Sequence, residues 1–271
     1  MNNIYQEIAR ITFEGKEAAL ITIISSVGST PRKGGTKMLV MADGSILGSI
    51  GGGTIEAQVC KQAIEVISIG KPKRVHFKLR KGDKLGMVCG GDMEVFIEPI
   101  LSPPTMYLFG GGHISLALAN ISKLLGFKIA IIDDRVEFAK ASRFPEADII
   151  VVEDFGKVFP QLKITESDYI VIVTRHHHTD EMVLEHILRM NKPVKYVGMI
   201  GSKTKNKTIF SHLTARGISQ ELLNKVHAPI GLEIYAETPQ EIAISILAEI
   251  IMVRRSQMIT SSKTAKLTNP R

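Results

Sequence analysis

The residues best suited to chemistry lie in one stretch. Residues 106–109, Met-Tyr-Leu-Phe, form an apolar run of β type that ends in Gly110-Gly111-Gly112-His113. A helical pattern follows, with Ile114, Ala117, Leu118, Ile121, Leu124 and Leu125 at i, i+3, i+4 spacing. Gly110 permits a tight turn, and Gly112 lets a pyrophosphate approach the backbone. The helix start then supplies free N–H groups at a positive dipole end. Such an arrangement favours phosphate. A second apolar run, residues 127–132, ends at Asp133, about twenty residues on, the distance at which a carboxylate can accept hydrogen bonds from a ribose diol. Asp134 and Arg135 read as solvated charges at a strand end, or Arg135 as a phosphate contact. Two features depart from a plain dinucleotide fingerprint: Ser115 stands at the third glycine position, and the motif opens beyond residue 100.

Further candidates precede and follow it. Gly28, Ser29, Thr30 and Arg32 lie in one glycine loop. Gly51-Gly52-Gly53 opens a helix carrying Glu56, and Cys89-Gly90 lies in a third loop, residues 81–91. Fourteen of the 23 glycines come before Pro99, more than turns require, and backbone N–H groups freed by glycine make anion-binding concavities. Arg32 offers five fixed donors to a phosphate or oxo-anion, or simply solubilises the surface. Glu56 most simply caps its own helix start. A thiolate at Cys89 is accessible in a flexible glycine loop, whereas Cys60 falls in a helix. His176, His177 and His178 with Asp180 invite a metal, but adjacent histidines on a loop cannot all point one way, so His177 and Asp180 read better as ligand contacts, as does His113. Gly201-Ser202-Lys203, with Lys205 and Lys207 behind it, is either a phosphate grip at a helix start or a solvated basic turn.

The elements that position these residues follow from pattern. Residues 4–17 read as an amphipathic helix and 18–25 as a buried strand; residues 36–41 and 45–50 flank the hairpin signal Asp43-Gly44. The helix from Thr54 has Ile55, Val59, Ala63, Ile64 and Ile67 as its core face and stops at Gly70. Residues 73–79 alternate as a half-buried strand, and 92–98 form another. Beyond the Pro103-Pro104 linker, strands at 106–109, 128–132, 147–152, 168–173 and 195–200 with helices between predict a doubly wound parallel sheet. The last helix starts at Thr238-Pro239-Gln240-Glu241, an N-cap, an N1 proline and a capping-box glutamate. Its polar residues Glu241, Ser245 and Glu249 share one thin stripe, so nearly all the rest must be covered, by its own sheet or by a second copy. The expected organisation is a mixed α/β domain over 1–102, a Rossmann-like domain over 103–255 and a flexible tail over 256–271.

Composition sets outer limits. At 271 residues with 44% hydrophobic and 23% charged residues, the chain suits two folded domains. No apolar run reaches the roughly 18 residues of a membrane span. The N-terminus lacks a secretory pattern, so a cytoplasmic location is expected, in line with two cysteines. The net charge of +7 is dispersed and no nucleic-acid motif accompanies it; anionic small molecules or an acidic partner suit it. Neither nucleic acid nor membrane is an expected partner.

With these segments in order, the chain resembles the XdhC/CoxI family of xanthine dehydrogenase accessory proteins over nearly its whole length. The motifs are Gly28-Ser29-Thr30-Pro31-Arg32, Gly51-Gly52-Gly53-Thr54-Ile55-Glu56 and Met87-Val88-Cys89-Gly90-Gly91. In the second half they are Phe109-Gly110-Gly111-Gly112-His113, Asp133-Asp134-Arg135, Arg143-Phe144-Pro145, Gly198-Met199-Ile200-Gly201-Ser202-Lys203, and Pro229-Ile230-Gly231-Leu232 leading to Glu241-Ile242-Ala243. The resemblance implies a maturation factor that binds molybdenum cofactor, as molybdopterin or its dinucleotide form, and delivers it in sulfurated form to a molybdenum hydroxylase such as xanthine dehydrogenase. It further implies Cys89 as a molybdenum or sulfur ligand, Glu56 as a pterin contact and a cysteine desulfurase as a second partner; the apolar last helix suggests a homodimer, and no nucleophile with an adjacent base is legible, which suits delivery rather than turnover. One departure is His176, where the family has glycine. The cofactor is expected in a cleft between the domains. Two alternatives stay open: an NAD(P)-dependent oxidoreductase using Gly110 and Asp133, and a nucleotide-sensing regulatory module.

Overall fold

The computed structural model describes residues 3–28, 30–79, 91–190 and 192–267, with residue 79 and residues 256–267 as backbone only. The chain divides into two compact units, Met1–Pro103 and Pro104–Arg271.

The first unit opens with α1 (Ile4–Phe13), capped by Asn3, whose Oδ1 accepts from the Tyr5 N–H at 3.0 Å. Five strands follow, with α2 (Gly53–Ile69) between the third and fourth: β1 (Ala18–Gly28), β2 (Lys37–Met41), β3 (Ile46–Gly48), β4 (Lys73–Leu79) and β5 (Gly91–Ile100). They form an antiparallel sheet in the order β3-β2-β1-β5-β4. The unbroken apolar run in β1 has a physical cause. Ala19, Ile21 and Ile23 face α2 through Ile55, Val59 and Ala63, while Ala18 and Leu20 face Ile11 of α1, so the strand is buried on both sides. β1 also runs past the expected end at Ser25: after an irregularity between Ile23 and Ser25 it continues to Gly28, paired with Gly91. Pro99 sits within β5 beyond the last β4 partner, Ile97, where its missing N–H breaks no bond to that neighbour. On α2, Ile64 points outward at 43% exposure and Val66 is buried, because Ile55, Val59, Ala63 and Val66 complete the i, i+4, i+8, i+11 stripe.

The second unit is a six-stranded parallel sheet. Its strands are β6 (Thr105–Phe109), β7 (Lys128–Asp133), β8 (Ile149–Val152), β9 (Tyr169–Ile172), β10 (Tyr196–Met199) and the two-residue β11 (Val226–His227), in the order β11-β10-β9-β6-β7-β8. The first strand in sequence, β6, lies centrally, with β7 on one side and β9 on the other, which is the doubly wound arrangement with its switch point beside β6. Helices α3 (His113–Leu124) and α7 (Pro239–Leu267) cover one face, over Met106, Leu108, Ile129 and Val171. The other face, lined by Tyr107, Phe109, Ile170 and Ile172, packs on α4 (His177–Arg189) and α5 (Lys203–Ala215), with α6 (Gln220–Leu223) following α5. The mixed α/β class and the parallel Rossmann-like sheet are as expected from sequence.

Three details differ. The β7–β8 crossover, residues 134–148, contains turns rather than a helix, filled by Ala139 and Phe144. On α3, Leu124 is 86% exposed, and Ser115 and Ser122 are buried in its stead. They are tolerated because each is hydrogen-bonded: Ser115 donates to the Gly110 carbonyl and Ser122 to Met106 Sδ. On α7 two of the three stripe residues, Ser245 and Glu249, face inward, the reverse of a solvated face, while Glu241 stays exposed at the cap. Ser245 donates to the Leu232 carbonyl, and Glu249, 8% exposed, accepts from the Tyr196 hydroxyl at 2.5 Å and the Gly231 N–H at 2.9 Å, with His227 Nδ1 at 3.0 Å. Burial acts to raise the Glu249 pKa, but these contacts outweigh it and hold the carboxyl below the usual range. Ile244, Ile251 and Met252 lie outward instead. The cap of α7 forms as expected, Glu241 N–H to Thr238 Oγ1 and Thr238 N–H to Glu241 Oε2, and its backbone stays helical to Leu267, across the stretch expected as a flexible tail.

Candidate functional site

The glycine turn lies where β6 ends at the switch point of the second unit. Gly110 has φ +106°, and a Cβ there would lie 2.5 Å from the Val173 carbonyl oxygen on the strand side opposite β7. A Cβ on Gly111 would lie 2.6 Å from the Phe138 carbonyl oxygen. Both glycines are thus dictated by close packing. Gly112 is not: its φ is −73°, and nothing lies within 4 Å of a Cβ placed there. It is the N-cap of α3 and gives no side-chain cap, so the first N–H groups of that helix are left for something outside the chain. His113, the next residue, is exposed.

Asp133 is placed differently from its expected role. The residue is 1% exposed, and its carboxylate already receives four donors: the Gly111 N–H at 2.7 Å, the Arg135 N–H at 3.0 Å, Arg135 Nε at 2.9 Å and Arg135 Nη2 at 3.1 Å. A carboxylate has about four lone-pair sites, so a ribose diol finds none open. Burial tends to raise the Asp133 pKa, but the Arg135 side chain and the two backbone N–H groups prevail and keep it below the usual range. Asp133 therefore ties the end of β7 to the glycine turn. Arg135 is equally engaged, lying 3.5 Å over the Phe138 ring as well as on Asp133, and its own pKa is raised chiefly by that carboxylate. The neighbouring Asp134 is bound bidentately by Arg175, both contacts at 2.9 Å.

Arg143 is the side chain that residue-by-residue reading passed over. It lies in the β7–β8 crossover, its Nε donates to the Gly111 carbonyl at 3.2 Å, and its Nη2 is buried with no hydrogen-bond partner. A cationic donor of this kind at a helix start is costly unless an acceptor reaches it. The only signal in the sequence was Arg143-Phe144-Pro145, where buried Phe144 pins the arginine's backbone.

The loop after β9 is held from beneath. Asp180, fully buried, accepts from the Thr174 N–H at 3.0 Å, Thr174 Oγ1 at 2.6 Å and Lys205 Nζ at 3.0 Å. Its pKa is raised because burial outweighs these contacts. Asp180 and Lys205 are thus structural partners, since Asp180 is buried and the Lys205 ammonium is turned onto it. His176 stands at the N-cap position of α4 without a side-chain capping bond, and His177 and His178 are exposed. Among the described residues no group of three His, Cys, Asp or Glu side chains could hold a metal ion. One strand further out, Ser202 caps α5 by accepting from the Lys205 N–H at 3.2 Å, Gly201 precedes it, and Lys203 is exposed.

In the first unit two of the candidate loops meet. Gly28 and Leu79 both pair with Gly91, which puts the ends of β1 and β4 and the start of β5 at the same end of the sheet. Pro31 packs against Gly51 so closely that a Cβ on Gly51, where φ is +133°, would lie 2.5 Å from Pro31 Cβ. Glu56 Oε2 accepts from Ser49 Oγ at 2.7 Å and from the Ile50 and Gly52 N–H groups at 3.2 Å, so it caps and closes the Gly51-Gly52-Gly53 loop. Thr30 Oγ1 donates to the Arg32 carbonyl at 3.0 Å, and the Arg32 side chain is exposed. Ser29, Cys89 and Gly90 lie outside the described residues.

Comparison with known proteins bears directly on this arrangement. The family model for the XdhC Rossmann domain matches residues 106–250, and the model for the XdhC and CoxI family matches residues 13–78. The chain belongs to the XdhC and CoxI family. It is 36% identical over 257 residues to the Escherichia coli (strain K12) protein YqeB, covering 94% of this chain and 47% of YqeB. It is 30% identical over 162 residues to a probable xanthine dehydrogenase component from Bacillus subtilis (strain 168), covering 60% of this chain and 46% of that one. The chain thus spans about half the length of these two relatives. The Escherichia coli molybdenum cofactor insertion chaperone PaoD is 24% identical over 274 residues, 90% of this chain and 85% of PaoD. A crystal structure described as a xanthine dehydrogenase from Bacillus halodurans shares the fold, with a TM-score of 0.52 over 93% of this chain and 95% of that one at 22% identity. Several of the XdhC-type motifs serve this fold rather than chemistry: Gly198 has no room for a Cβ because Ile230 and the Tyr196 hydroxyl occupy the place. Among the described residues no helix is long and apolar enough to cross a membrane.

Proposed function

We propose that this protein is an accessory factor in molybdenum cofactor maturation, taking up the cofactor and passing it to a molybdenum hydroxylase of the xanthine dehydrogenase type. The observation that carries the reading is the relation to PaoD, a molybdenum cofactor insertion chaperone, along 90% of this chain. The residues fit such a cargo. Its phosphate would be received by the open start of α3 at Gly112 and His113 and by the partnerless Arg143 Nη2, which is the donor chemistry a phosphate ester requires. In the first unit, Gly28, Thr30, Arg32 and the Gly51-Gly52-Gly53 loop supply a second set of backbone and guanidinium donors, and Cys89 supplies the thiolate for molybdenum or its sulfur. Delivery in sulfurated form, a cysteine desulfurase as sulfur donor and pairing of two copies through the outward Ile244, Ile251 and Met252 belong to the same reading.

The test is direct. Protein purified from a cofactor-producing host should carry molybdenum by mass spectrometry and release a pterin whose oxidised form fluoresces. Cys89→Ala should lower the molybdenum content and the activation of an apo-hydroxylase. Cofactor-free protein that binds NADH tightly and transfers hydride to a substrate would overturn the reading.

A further inference from the structure

The loop between β11 and α7, residues 228–238, carries a surface that the fold does not use. Tyr235 is 90% exposed and Ile234 47% exposed. Tyr235 also has φ +59°, and among the described residues it is the one non-glycine residue with a positive φ. That region is costly for a residue with a Cβ, so the conformation persists only where its surroundings impose it. A ring this exposed gives the fold no packing in return.

The loop is held firmly at both ends. The Ile230 N–H donates to the Met199 carbonyl at 3.1 Å, and the Gly231 N–H to Glu249 Oε2 at 2.9 Å. Ser245 clasps Leu232: its carbonyl accepts from the Leu232 N–H at 3.2 Å, and its hydroxyl donates to the Leu232 carbonyl at 2.5 Å. At the far end Glu241 Oε2 accepts from the Glu237 and Thr238 N–H groups, both at 2.9 Å. Ile234 and Tyr235 thus form a preset tip. An exposed tyrosine on a rigid support loses little freedom on association and is among the side chains that dominate protein interfaces.

The charge around the tip is one-sided. From residue 226 to residue 253 the chain has no Lys or Arg, although its net charge is +7, and Glu233, Glu237 and Glu241 are exposed there. Glu233 lies 3.9 Å from Lys203 Nζ with both side chains open to water, so that pair is screened. The Thr238 and Glu237 N–H groups hold the Glu241 carboxyl below the usual range, so it stays charged. The complement of such a tip is an apolar pocket rimmed by Lys and Arg. The loop also stands at the carboxyl edge of the sheet, the edge of the glycine turn. The end of β10, to which it is tied, lies two strand spacings, roughly 10 Å, from the end of β6. A protein seated on the tip would face the edge from which a cargo at the glycine turn leaves.

We infer that Ile234 and Tyr235, with Glu233 and Glu237 beside them, are where the recipient hydroxylase docks, Tyr235 entering a pocket of that basic-rimmed kind. The inference rests on the maturation reading and adds to it the surface through which the recipient is met.

Biolayer interferometry of the full chain against an immobilised apo-hydroxylase of the xanthine dehydrogenase type tests it, with the molybdenum content of each sample measured alongside. The parent should bind saturably, and at least tenfold more weakly as salt is raised from about 0.05 to about 0.5 M. Tyr235→Gly places glycine at a φ it adopts freely, so its Tm should match or exceed the parent's. It should carry as much molybdenum as the parent, bind the apo-hydroxylase at least tenfold more weakly and activate it correspondingly less. Glu233→Gln/Glu237→Gln should weaken binding and flatten its salt dependence. No saturable binding by the parent, or either variant binding as tightly as the parent, overturns the docking surface even where molybdenum is present and the maturation reading stands. Binding that depends on Tyr235 in protein that carries no molybdenum keeps the docking surface and sinks cofactor carriage instead. A shift from dimer to monomer in Tyr235→Gly by light scattering would give the tip to a second copy and overturn the inference equally.

Discussion

Asp133→Ala separates two meanings of one carboxylate. If Asp133 served as a ribose contact, its removal would cost ligand affinity and leave the fold alone. The structure makes it a strut, with four donors on a residue 1% exposed. Its loss strands the buried Gly111 N–H, at about 1–3 kcal/mol, and breaks the pair with Arg135. A fully buried pair costs about 3–5 kcal/mol to break, but the Arg135 side chain is 27% exposed and can turn to water, which reduces that share. The expected loss is about 2–4 kcal/mol in the second unit. Because the chain has two units, a single unfolding midpoint would mix them, so the measurement is native-state hydrogen exchange of the β6, β7 and β9 amides. The acid limb gives an independent check. A carboxyl whose folded pKa is depressed stabilises fully above the unfolded value, about 3.9, and loses that contribution as pH falls through the folded value. Asp133→Asn should flatten that limb. Exchange within about 0.5 kcal/mol of the parent for Asp133→Ala would refute the strut.

Three further outcomes follow. Gly112→Ala should fold as the parent and weaken phosphate-ester binding about tenfold or more, whereas Gly110→Ala should be strongly destabilised by its +106° φ and the Val173 carbonyl; thermal unfolding and titration on both variants decide it. Lys205→Met leaves Asp180 buried beside Thr174 alone and should destabilise by about 3–5 kcal/mol at neutral pH. Because burial already raises the Asp180 pKa and the variant raises it further, the deficit should grow as pH rises through the parent's folded value and shrink in acid, read from unfolding at graded pH. Glu249→Ala strands the Tyr196 hydroxyl and the Gly231 N–H and should cost about 2–4 kcal/mol by denaturant unfolding, where a solvated glutamate would cost almost nothing.

What the sequence made legible was whatever rests on period and local torsion. The apolar runs of β6, β7, β9 and β10, the α7 cap and the glycine turn all belong there, because each is fixed by neighbours in the chain. Long-range pairing was not legible. Ser245 and Glu249 looked like a wet stripe because their partners, Leu232, Gly231, Tyr196 and His227, lie on other elements. Leu124 looked like core because helical spacing cannot say where a helix passes the edge of its sheet. At the candidate site, spacing put Asp133 at a strand end and Asp180 after β9, yet could not reveal that donors two to 25 residues away already occupy them.

The charges around the glycine turn carry the distinction further. Asp133 is cancelled by Arg135 and Asp134 by Arg175, so two negative and two positive charges sum to zero. Among the described residues Arg143 has no acidic partner, and it lies against Gly111 at the start of α3. The turn therefore keeps one uncompensated cation beside the roughly half-unit positive charge of a helix start. A free acid at the end of β7 would have opposed a second anion and rewarded a neutral diol. With that acid folded away, the proposed phosphate role of the turn calls for selectivity toward negative charge and indifference to a ribose. Arg143→Met should thus weaken phosphate esters with and without a ribose by the same factor, measured by titration with a simple phosphomonoester against a nucleotide. A larger loss for the nucleotide alone would mean that the turn still reads the sugar.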